Sequence, residues 1–262
     1  MKPSLNCKLP EMVVVTGAAS GLGASIVQQL AEAGVTTVGI DIGVAPAIAK
    51  GNYSHIKGDV TAEAVWTNLS VHIEKQAPDS LGLVTSAAIL EVGTILEFDK
   101  KALDRTMAVN FTGTALAIKA LLPHMIKRKA GAIVAVASID GSFAEQQLAV
   151  YCASKGAVRM LTRTVAMDHA RQGIRANVLS PGPMMAGLFE RHMNSASDPA
   201  MFKATRANRQ PNGEILSPID VARAALFLLS DGAQALNGAE IIADGGLTTS
   251  FDFRTGAEGA SV

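Results

Sequence analysis

Short apolar runs alternate with longer amphipathic segments along nearly the whole chain. Each run has the length and aliphatic composition of a buried strand. The segments between them carry apolar residues at helical spacing, as in 22–33, where Leu22, Ile26 and Leu30 share one face and Gly34 follows. Parallel strands need such crossovers, so the alternation favours an α/β fold with one doubly wound parallel sheet and helices on both faces. The seven predicted strands are residues 12–17, 36–41, 53–60, 81–87, 131–138, 174–182 and 239–246.

A single domain accounts for all 262 residues, because neither an internal repeat nor a linker interrupts them. Residues 1–10 are predicted to form an N-terminal extension and residues 247–262 a C-terminal tail. Residues 183–216 break the alternation, and we expect them to form a lid over a binding site. The apolar side chains of this lid are Met184, Met185, Leu188, Phe189, Met193, Met201 and Phe202, which suit an adaptable cover.

The charge balance argues against polyanionic partners. Lys and Arg together number 23, as do Asp and Glu, so the formal net charge is zero and neither nucleic acid nor a membrane surface is an expected partner. No apolar run has the length of a membrane span or a secretory leader, so we expect a cytoplasmic protein. Cys7 and Cys152 suit a reduced compartment. The five histidines show no metal-binding spacing, so no metal is predicted.

A glycine-rich turn follows the first predicted strand. Gly17, Gly21 and Gly23 allow a tight turn and a close approach of a pyrophosphate to the backbone. The helix that begins here would direct free N–H groups towards the phosphates. The turn, with Ser20 and Leu22 inside it, therefore predicts a Rossmann-type dinucleotide site.

Asp41 ends the second predicted strand, 18 residues after Gly23. A carboxylate at this place accepts hydrogen bonds from both hydroxyls of an adenosine ribose and repels a 2′-phosphate. The neighbouring residues, Ile42 and Ser20, offer no positive charge. The sequence therefore predicts NAD rather than NADP as the cofactor.

Ser138, Tyr151 and Lys155 form a third pattern. Ser138 ends a predicted strand, and Lys155 lies one helical turn after Tyr151 on the same face. A nearby ammonium favours a phenolate, so Tyr151 could exchange a proton with an alcohol or ketone while Ser138 bonds the same oxygen. Alone, a tyrosine and a lysine at this spacing are common on helices. Beside a dinucleotide turn they indicate a dehydrogenase centre.

Further motifs occur in a recognisable order. They are T-G-x-x-x-G-x-G at 16–23, Asp59–Val60 after the third predicted strand, Asn110 in M-A-V-N-F-T-G, Pro181–Gly182, and A-D-G-G at 243–246. With Ser138, Tyr151 and Lys155, these motifs make residues 11–246 resemble the single-domain short-chain dehydrogenases/reductases. The resemblance implies a Rossmann-type fold of about seven strands, an NAD(P)-dependent oxidoreductase and a homotetramer.

The resemblance also implies roles for individual residues. Asn110 would hold a water beside Lys155, and Lys155 would bind the nicotinamide ribose. Asp59 and Val60 would contact the adenine, and Ser86 and Ala87 would let the cofactor approach. Pro181, Gly182 and Met184 would surround the nicotinamide. Two places depart from the family pattern: residues 85–88 replace Asn-Asn-Ala-Gly, and Ala186 replaces a threonine.

The function predicted from these patterns is an NAD-dependent oxidoreductase that interconverts a secondary alcohol and a ketone. Small-molecule substrate contacts are expected in 139–150 and in the lid, with Asp140, Glu145, Met185, Leu188 and His192 as candidates. One alternative is a 3-oxoacyl-thioester reductase acting on acyl carrier protein. A second alternative is a non-catalytic NAD-binding sensor.

Overall fold

A computed structural model describes residues 7–48 and 51–249. The strands are β1 (Met12–Thr16), β2 (Thr36–Asp41), β3 (Tyr53–Lys57), β4 (Leu81–Thr85), β5 (Gly131–Val136), β6 (Ile174–Pro181) and β7 (Glu240–Ala243). The α-helices are α1 (Gly21–Glu32), α2 (Glu63–Gln76), α3 (Lys100–Met107), α4 (Gly113–Arg128), α5 (Ala149–His169), α6 (Gly187–Ser195), α7 (Pro199–Asn208) and α8 (Pro218–Leu229).

The strands form one parallel sheet in the order β3-β2-β1-β4-β5-β6-β7. Successive residues of a strand face opposite sides, and β1 shows both. Val13 and Val15 pack in a core with α1 and α8, whereas Met12 and Val14 pack in a second core with α2 and α4. The doubly wound α/β fold predicted from the alternation is confirmed.

The strand order reverses at β1, which pairs with β2 on one side and β4 on the other. Connections from these two strands leave in opposite directions, so a crevice opens at their carboxyl ends. The glycine turn and the residues that follow β4 both lie at this crevice.

Six of the strands end earlier than predicted, and β3 and β7 do so by the most, three residues each. β3 stops at Lys57, because the Asp59 carboxylate accepts a hydrogen bond from Thr61 N–H at 2.9 Å and holds the chain in a turn. β7 stops at Ala243, because the Asp244 carboxylate accepts hydrogen bonds from backbone N–H groups of the following turn. Polar side chains that fold back on their own backbone thus end strands that the apolar pattern extends too far.

The predicted lid consists of α6 and α7, inserted between β6 and α8. The rings of Phe189 on α6 and Phe202 on α7 lie 5.7 Å apart between centroids. Met184 pairs with Leu216, and Met185 N–H donates to Leu216 O at 3.0 Å. The first and last residues of the insertion are therefore joined to each other where it leaves and rejoins the core.

Parts of both predicted terminal segments lie outside the described residues. The described end of the N-terminal extension is attached to the domain, since Lys8 N–H donates to Asp231 Oδ1 at 2.7 Å. In the C-terminal tail only residues 247–249 are described. Within the described ranges, no helix combines the length and apolarity needed to cross a bilayer.

Gly23→Ala should destabilise the fold more than Gly34→Ala. A Cβ on Gly23 would lie 2.1 Å from Gly17 O, whereas one on Gly34 meets no atom within 4 Å and only its φ of +76° is unfavourable. Overpacking against backbone is expected to cost more than about 3 kcal/mol of unfolding free energy at Gly23. The left-handed φ is expected to cost about 1–2 kcal/mol at Gly34. Urea denaturation measures both, and equal losses would contradict the crowding at Gly23.

Candidate active site

A cleft of about 870 Å³ follows the carboxyl ends of the strands. Its wall begins at the glycine turn and Asp41, passes Ser138 and Tyr151, and ends at the lid. The predicted cofactor and proton-transfer residues therefore share one continuous cavity. Three predicted residues, Gly23, Asn110 and Met185, do not line it.

The glycine turn fits a bound pyrophosphate. Gly17 has φ +68°, and a Cβ there would lie 2.8 Å from the backbone of Ala87. Gly21 has φ +58°, and a Cβ there would lie 3.1 Å from Gly187 Cα. Ser20 and Leu22 also reach the wall, whereas Gly23 packs α1 against the turn instead. Backbone is thus exposed to the cleft at the start of α1, as phosphate binding requires.

The Asp41 carboxylate is held in place by the backbone at the cleft wall. Its Oδ2 accepts a hydrogen bond from Ala19 N–H at 3.0 Å, and its Oδ1 accepts one from Gly43 N–H at 2.7 Å. Each oxygen keeps further acceptor capacity for the hydroxyls of a ribose. Ile42, the next residue, is also on the wall.

Asp59 and Val60 lie on the wall after β3. Asp59 Oδ1 accepts hydrogen bonds from the N–H and the hydroxyl of Thr61, both at 2.9 Å. The Val60 carbonyl accepts from Trp66 Nε1 at 2.9 Å. These local bonds fix the segment beside the place predicted for the adenine.

The segment that departs from the family pattern is held by other groups. Thr16 Oγ1, at the end of β1, accepts hydrogen bonds from Ser86 N–H and Ala87 N–H, each at 3.1 Å. Both residues line the cleft, as predicted. Thr85 Oγ1 is buried and has no hydrogen-bond partner among the described residues.

Asn110 lies in a π-helical turn, Ala108–Thr112, between α3 and α4. Its side chain is 1% exposed and bonds Ile89 twice: Oδ1 accepts from the N–H at 2.8 Å, and Nδ2 donates to the carbonyl at 3.0 Å. Nδ2 also donates to Ser154 Oγ at 3.0 Å. Asn110 thus joins the loop after β4 to α5 behind the cleft wall, and the water-holding role stays a prediction. π-Helical turns are frequent at functional sites.

Ser138, Tyr151 and Lys155 meet on one wall of the cleft, and each is at least nine-tenths buried. Lys155 Nζ lies 5.7 Å from the centroid of the Tyr151 ring and donates to Val136 O at 2.9 Å. Ser138 caps a short 3₁₀ turn, Ile139–Gly141. Backbone of this turn packs on Lys155, where a Cβ on Gly141 would come within 3.1 Å.

The electrostatics of this wall differ from the sequence-based expectation. Burial lowers the pKa of Lys155 to about 8, and nearby Asp140 acts in the opposite direction. Burial, followed by the charge of Asp140, raises the pKa of Tyr151 above its usual value, while a hydrogen bond with Ser138 lowers it. The expectation that the pKa of Tyr151 lies below its usual value was wrong for the polypeptide alone. Desolvation of the phenolate is the largest cause of the raised pKa, and the charge of Asp140 adds to it.

Pro181, Gly182 and Met184, which are predicted to surround the nicotinamide, line the cleft. Gly182 lies so close to Asp244 that a Cβ would come within 2.8 Å of the Asp244 Cβ. Ala186 also lines the cleft and supplies no hydroxyl.

The lid end of the cleft carries four of the five predicted substrate residues: Asp140, Glu145, Leu188 and His192. The fifth, Met185, does not line the cleft, whereas its neighbour Met184 does, and a substrate contact by Met185 stays a prediction. Met193 and Met201 of the predicted apolar lid are also absent from the wall.

An ion pair at the lid end was missed by the sequence analysis. Arg206 of α7 binds Glu145, with 2.6 Å between nitrogen and oxygen, and its guanidinium lies 5.2 Å from the Phe202 ring centroid. The ring of His192 packs edge-on against Phe202, and burial, with Arg206, lowers the pKa of His192. No sequence signal links Glu145 to Arg206, since 61 residues separate them. Other wall residues that were missed include Gly43, Val44, Ile89, Leu90, Arg105, Leu148 and Arg191.

A family model described as enoyl-(acyl carrier protein) reductase matches residues 17–248. A 2-(S)-hydroxypropyl-CoM dehydrogenase of Xanthobacter autotrophicus is 36% identical over 251 residues, which cover 91% of this chain and 96% of that protein. The chain belongs to the short-chain dehydrogenase/reductase family. The predicted family and Rossmann-type fold are confirmed.

Solved structures agree with this membership in the short-chain dehydrogenase/reductase family. Ligand-free aldohexose dehydrogenase of Thermoplasma acidophilum has a TM-score of 0.86 at 28% identity and covers 95% of this chain and 98% of its own. A 4-hydroxyisoleucine dehydrogenase complexed with NADH has a TM-score of 0.77 at 25% identity, covering 92% and 99%. This chain is an oxidoreductase of the class that acts on CH–OH groups of small secondary alcohols. Structural relatives in the family bind NAD(P)(H).

In residues 7–48 and 51–249, no three His, Cys, Asp or Glu side chains are grouped as metal ligands. That the enzyme needs no metal stays a prediction.

Asn110→Ala should destabilise the protein more than Thr114→Val. The first change leaves two backbone groups of Ile89 and the Ser154 hydroxyl without their Asn110 partner. Each unsatisfied buried group costs about 1–3 kcal/mol, so the loss should exceed about 2 kcal/mol. Thr114→Val removes one bond, from Thr114 Oγ1 to Asn110 O, and should cost about 1 kcal/mol. Urea denaturation compares the two; a smaller loss for Asn110→Ala would contradict its structural role.

Proposed function

We propose that this chain is an NAD-dependent oxidoreductase in which Tyr151 exchanges the proton of a secondary alcohol. One observation carries the proposal: Ser138, Tyr151 and Lys155 share a buried wall of the cleft that also holds the glycine turn. General acid–base chemistry needs a titratable group within hydrogen-bond reach of the reacting oxygen. Tyr151 and Ser138 are the two hydroxyls that this wall offers.

Each side chain has a distinct task in the proposed mechanism. The Tyr151 oxygen takes the proton of the alcohol during oxidation and returns it during reduction. The Ser138 hydroxyl, which donates to Asp140 Oδ2 in the structure, turns its single proton to the same substrate oxygen when substrate is bound and holds that oxygen at the phenol. Lys155, whose pKa is about 8, is mainly a cation at neutral pH, which favours the phenolate and supplies a hydrogen-bond donor for a ribose hydroxyl.

A nicotinamide cofactor, held by Pro181, Gly182 and Met184, would supply the redox chemistry as the hydride acceptor for the carbinol carbon, and its oxidised form would bring a positive charge into the cleft. A positive charge near Tyr151 lowers the phenol pKa that burial raises. The raised pKa also means that the polypeptide alone keeps Tyr151 protonated, the form that donates a proton in reduction. Because burial raises the pKa of Tyr151, proton abstraction by Tyr151 depends on the positive charges of Lys155 and of the oxidised cofactor nearby.

NAD is proposed over NADP because of Asp41. Its carboxylate is fixed by Ala19 N–H and Gly43 N–H at the end of the cleft beyond the glycine turn. A 2′-phosphate would meet this negative charge, whereas ribose hydroxyls would find an acceptor. Asp59 and Val60 would then flank the adenine, and Pro181, Gly182 and Met184 the nicotinamide.

A 3-oxoacyl-thioester reductase is the second candidate, favoured by Arg105 and Arg191 on the cleft wall. The description of the matching family model names a different reaction, enoyl reduction, but also a substrate linked to acyl carrier protein. Two arginines could bind the phosphate of a carrier-linked thioester. Reduction of an acetoacetyl thioester in preference to oxidation of any alcohol would select this candidate. A homotetramer, a cytoplasmic location and a single domain spanning 1–262 stay predictions.

Tyr151→Phe should abolish turnover and leave NAD binding nearly unchanged. Loss of the acid–base group should lower kcat by at least about 10²–10⁴-fold. Oxidation of simple secondary alcohols, followed by NADH absorbance, measures turnover, and calorimetry measures NAD binding. Tyr53→Phe is the matched control, because the other tyrosine of the chain bonds His55 outside the cleft. Retained turnover in Tyr151→Phe would refute the assignment.

Asp41→Asn should shift cofactor preference towards NADP. The amide keeps one acceptor for the ribose and removes the negative charge that opposes a 2′-phosphate. A hydrogen bond to a charged group is worth about 1.5–3 kcal/mol, so the ratio of kcat/KM for NAD to that for NADP should fall about 10- to 100-fold. Thermal denaturation of the variant separates this effect from loss of the bonds to Ala19 and Gly43. A wild-type protein that prefers NADP would contradict the proposal.

A further inference from the structure

The Asp140 carboxylate is a polar group of the cleft to which the proposed chemistry gives no task. Asp140 lies on the cleft wall in the 3₁₀ turn that Ser138 caps. The Ser138 hydroxyl donates to Asp140 Oδ2 at 3.1 Å, and no other group among the described residues donates a hydrogen bond to this carboxylate. A carboxylate has about four acceptor sites, so most of its capacity is free towards the cleft.

The surroundings of Asp140 raise the free-energy cost of leaving these acceptor sites without a hydrogen-bond donor. Burial, followed by the charge of Glu145, raises the pKa of Asp140 to about 6, while Ser138, Arg206 and Lys155 lower it. The group is therefore mostly ionised at neutral pH and only partly hydrated. An ionised carboxylate in such a place is stabilised by any hydrogen-bond donor that a ligand brings to it.

Asp140 also lies at a defined distance from the reacting oxygen. In the proposed mechanism Ser138 Oγ bonds that oxygen, and Asp140 Oδ2 is one further hydrogen-bond length away. The carboxylate is thus no more than about 6 Å from the substrate oxygen. A hydrogen-bond donor on the carbon next to the reacting one can therefore reach the Asp140 carboxylate while the reacting oxygen stays at Ser138. A donor further along the substrate would lie beyond the carboxylate.

We infer that Asp140 accepts a hydrogen bond from a second hydroxyl on the carbon next to the reacting one, so that the substrates are vicinal diols or polyols. This inference rests on the proposed function. Arg206 and Lys155 already supply positive charge near Asp140, against the negative charge of Glu145, so a neutral hydroxyl can be bound there without a further counter-charge. A carboxylate on the neighbouring carbon is disfavoured by the charges of Asp140 and Glu145.

The first test compares four alcohols of one ring size with the wild-type enzyme. They are cyclohexanol, 1,2-cyclohexanediol, 2-methoxycyclohexanol and 2-aminocyclohexanol. The diol should have a kcat/KM about 10- to 100-fold above the methoxy alcohol, which cannot donate, in keeping with a hydrogen bond to a charged group. Equal values for diol and methoxy alcohol would overturn the inference, and so would a preference for the amine.

The second test uses Asp140→Ala, with Asp104→Asn as control. Asp104 is exposed on α3 and pairs with Lys100, away from the cleft wall. Asp140→Ala should remove the advantage of the diol, whereas Asp104→Asn should keep it. A residue that only positioned Ser138 would lower turnover of every alcohol equally and leave the ratio unchanged, which would overturn the inference.

The pH dependence gives a third readout. The advantage of the diol should be present above pH about 6 and should shrink below it, because a protonated Asp140 is a weaker acceptor. The diol and the methoxy alcohol meet the same neighbouring charges, so the ratio of their kcat/KM values reports the protonation of Asp140 alone. A ratio that does not change with pH would count against the inference. The titratable groups around Asp140 are Glu145 on the same loop, Tyr151, Cys152 and Lys155 on α5, and Arg206 on α7, with His192 of α6 beside Arg206.

Failure of the inference and failure of the proposed function give different results. If the oxidoreductase proposal fails, none of the four alcohols is oxidised with either nicotinamide cofactor. If only the inference fails, the alcohols are oxidised in a manner that depends on Tyr151, and the hydroxyl on the neighbouring carbon makes no difference. If Asp140→Ala does not fold, the comparison of diol and methoxy alcohol with the wild-type enzyme still decides.

Discussion

The close packing of backbone at the carboxyl end of β1 is the constraint on which the rest of the site depends. Gly17 lies against the backbone of Ala87 after β4, and Gly23 in α1 lies against the carbonyl of Gly17. A strand, a turn and a helix meet here without a side chain between them. Their contact brings the first turn of α1 to the crevice that the reversed strand order opens, and it places phosphate-binding backbone on the cleft.

The proton-transfer residues depend on how α5 is fastened to the sheet. Lys155 Nζ bonds Val136 O of β5, and Ser154 Oγ accepts from Asn110, which in turn holds both backbone groups of Ile89. Consecutive residues of one helix are thus tied to β5 and to the loop after β4. Side chains on a helix held in this way keep a fixed distance from the strand that ends near Ser138. Such support is what catalytic geometry needs.

The sequence predicts the sheet well because strands buried on both faces are nearly continuous apolar runs, and the glycine turn, Asp41 and Ser138 follow such runs directly. Other features depend on contacts between distant residues and have no local signal. Glu145 meets Arg206 only through the lid, and the packing of the insertion decides that Met184 and not Met185 lines the cleft. The raised pKa of Tyr151 was missed because desolvation depends on packing, which the spacing to Lys155 does not reveal.

The insertion between β6 and α8 closes on itself, since Met184 pairs with Leu216 at its base. The hydrogen bond there joins backbone to backbone, from Met185 N–H to Leu216 O, and is indifferent to the side chains of α6 and α7. The entropy lost in closing a loop grows only slowly with its length. The sequence between the two ends of this stretch can therefore vary at little cost to the closure, while the packing of Gly187 against Gly21 still ties its first helix to the glycine turn.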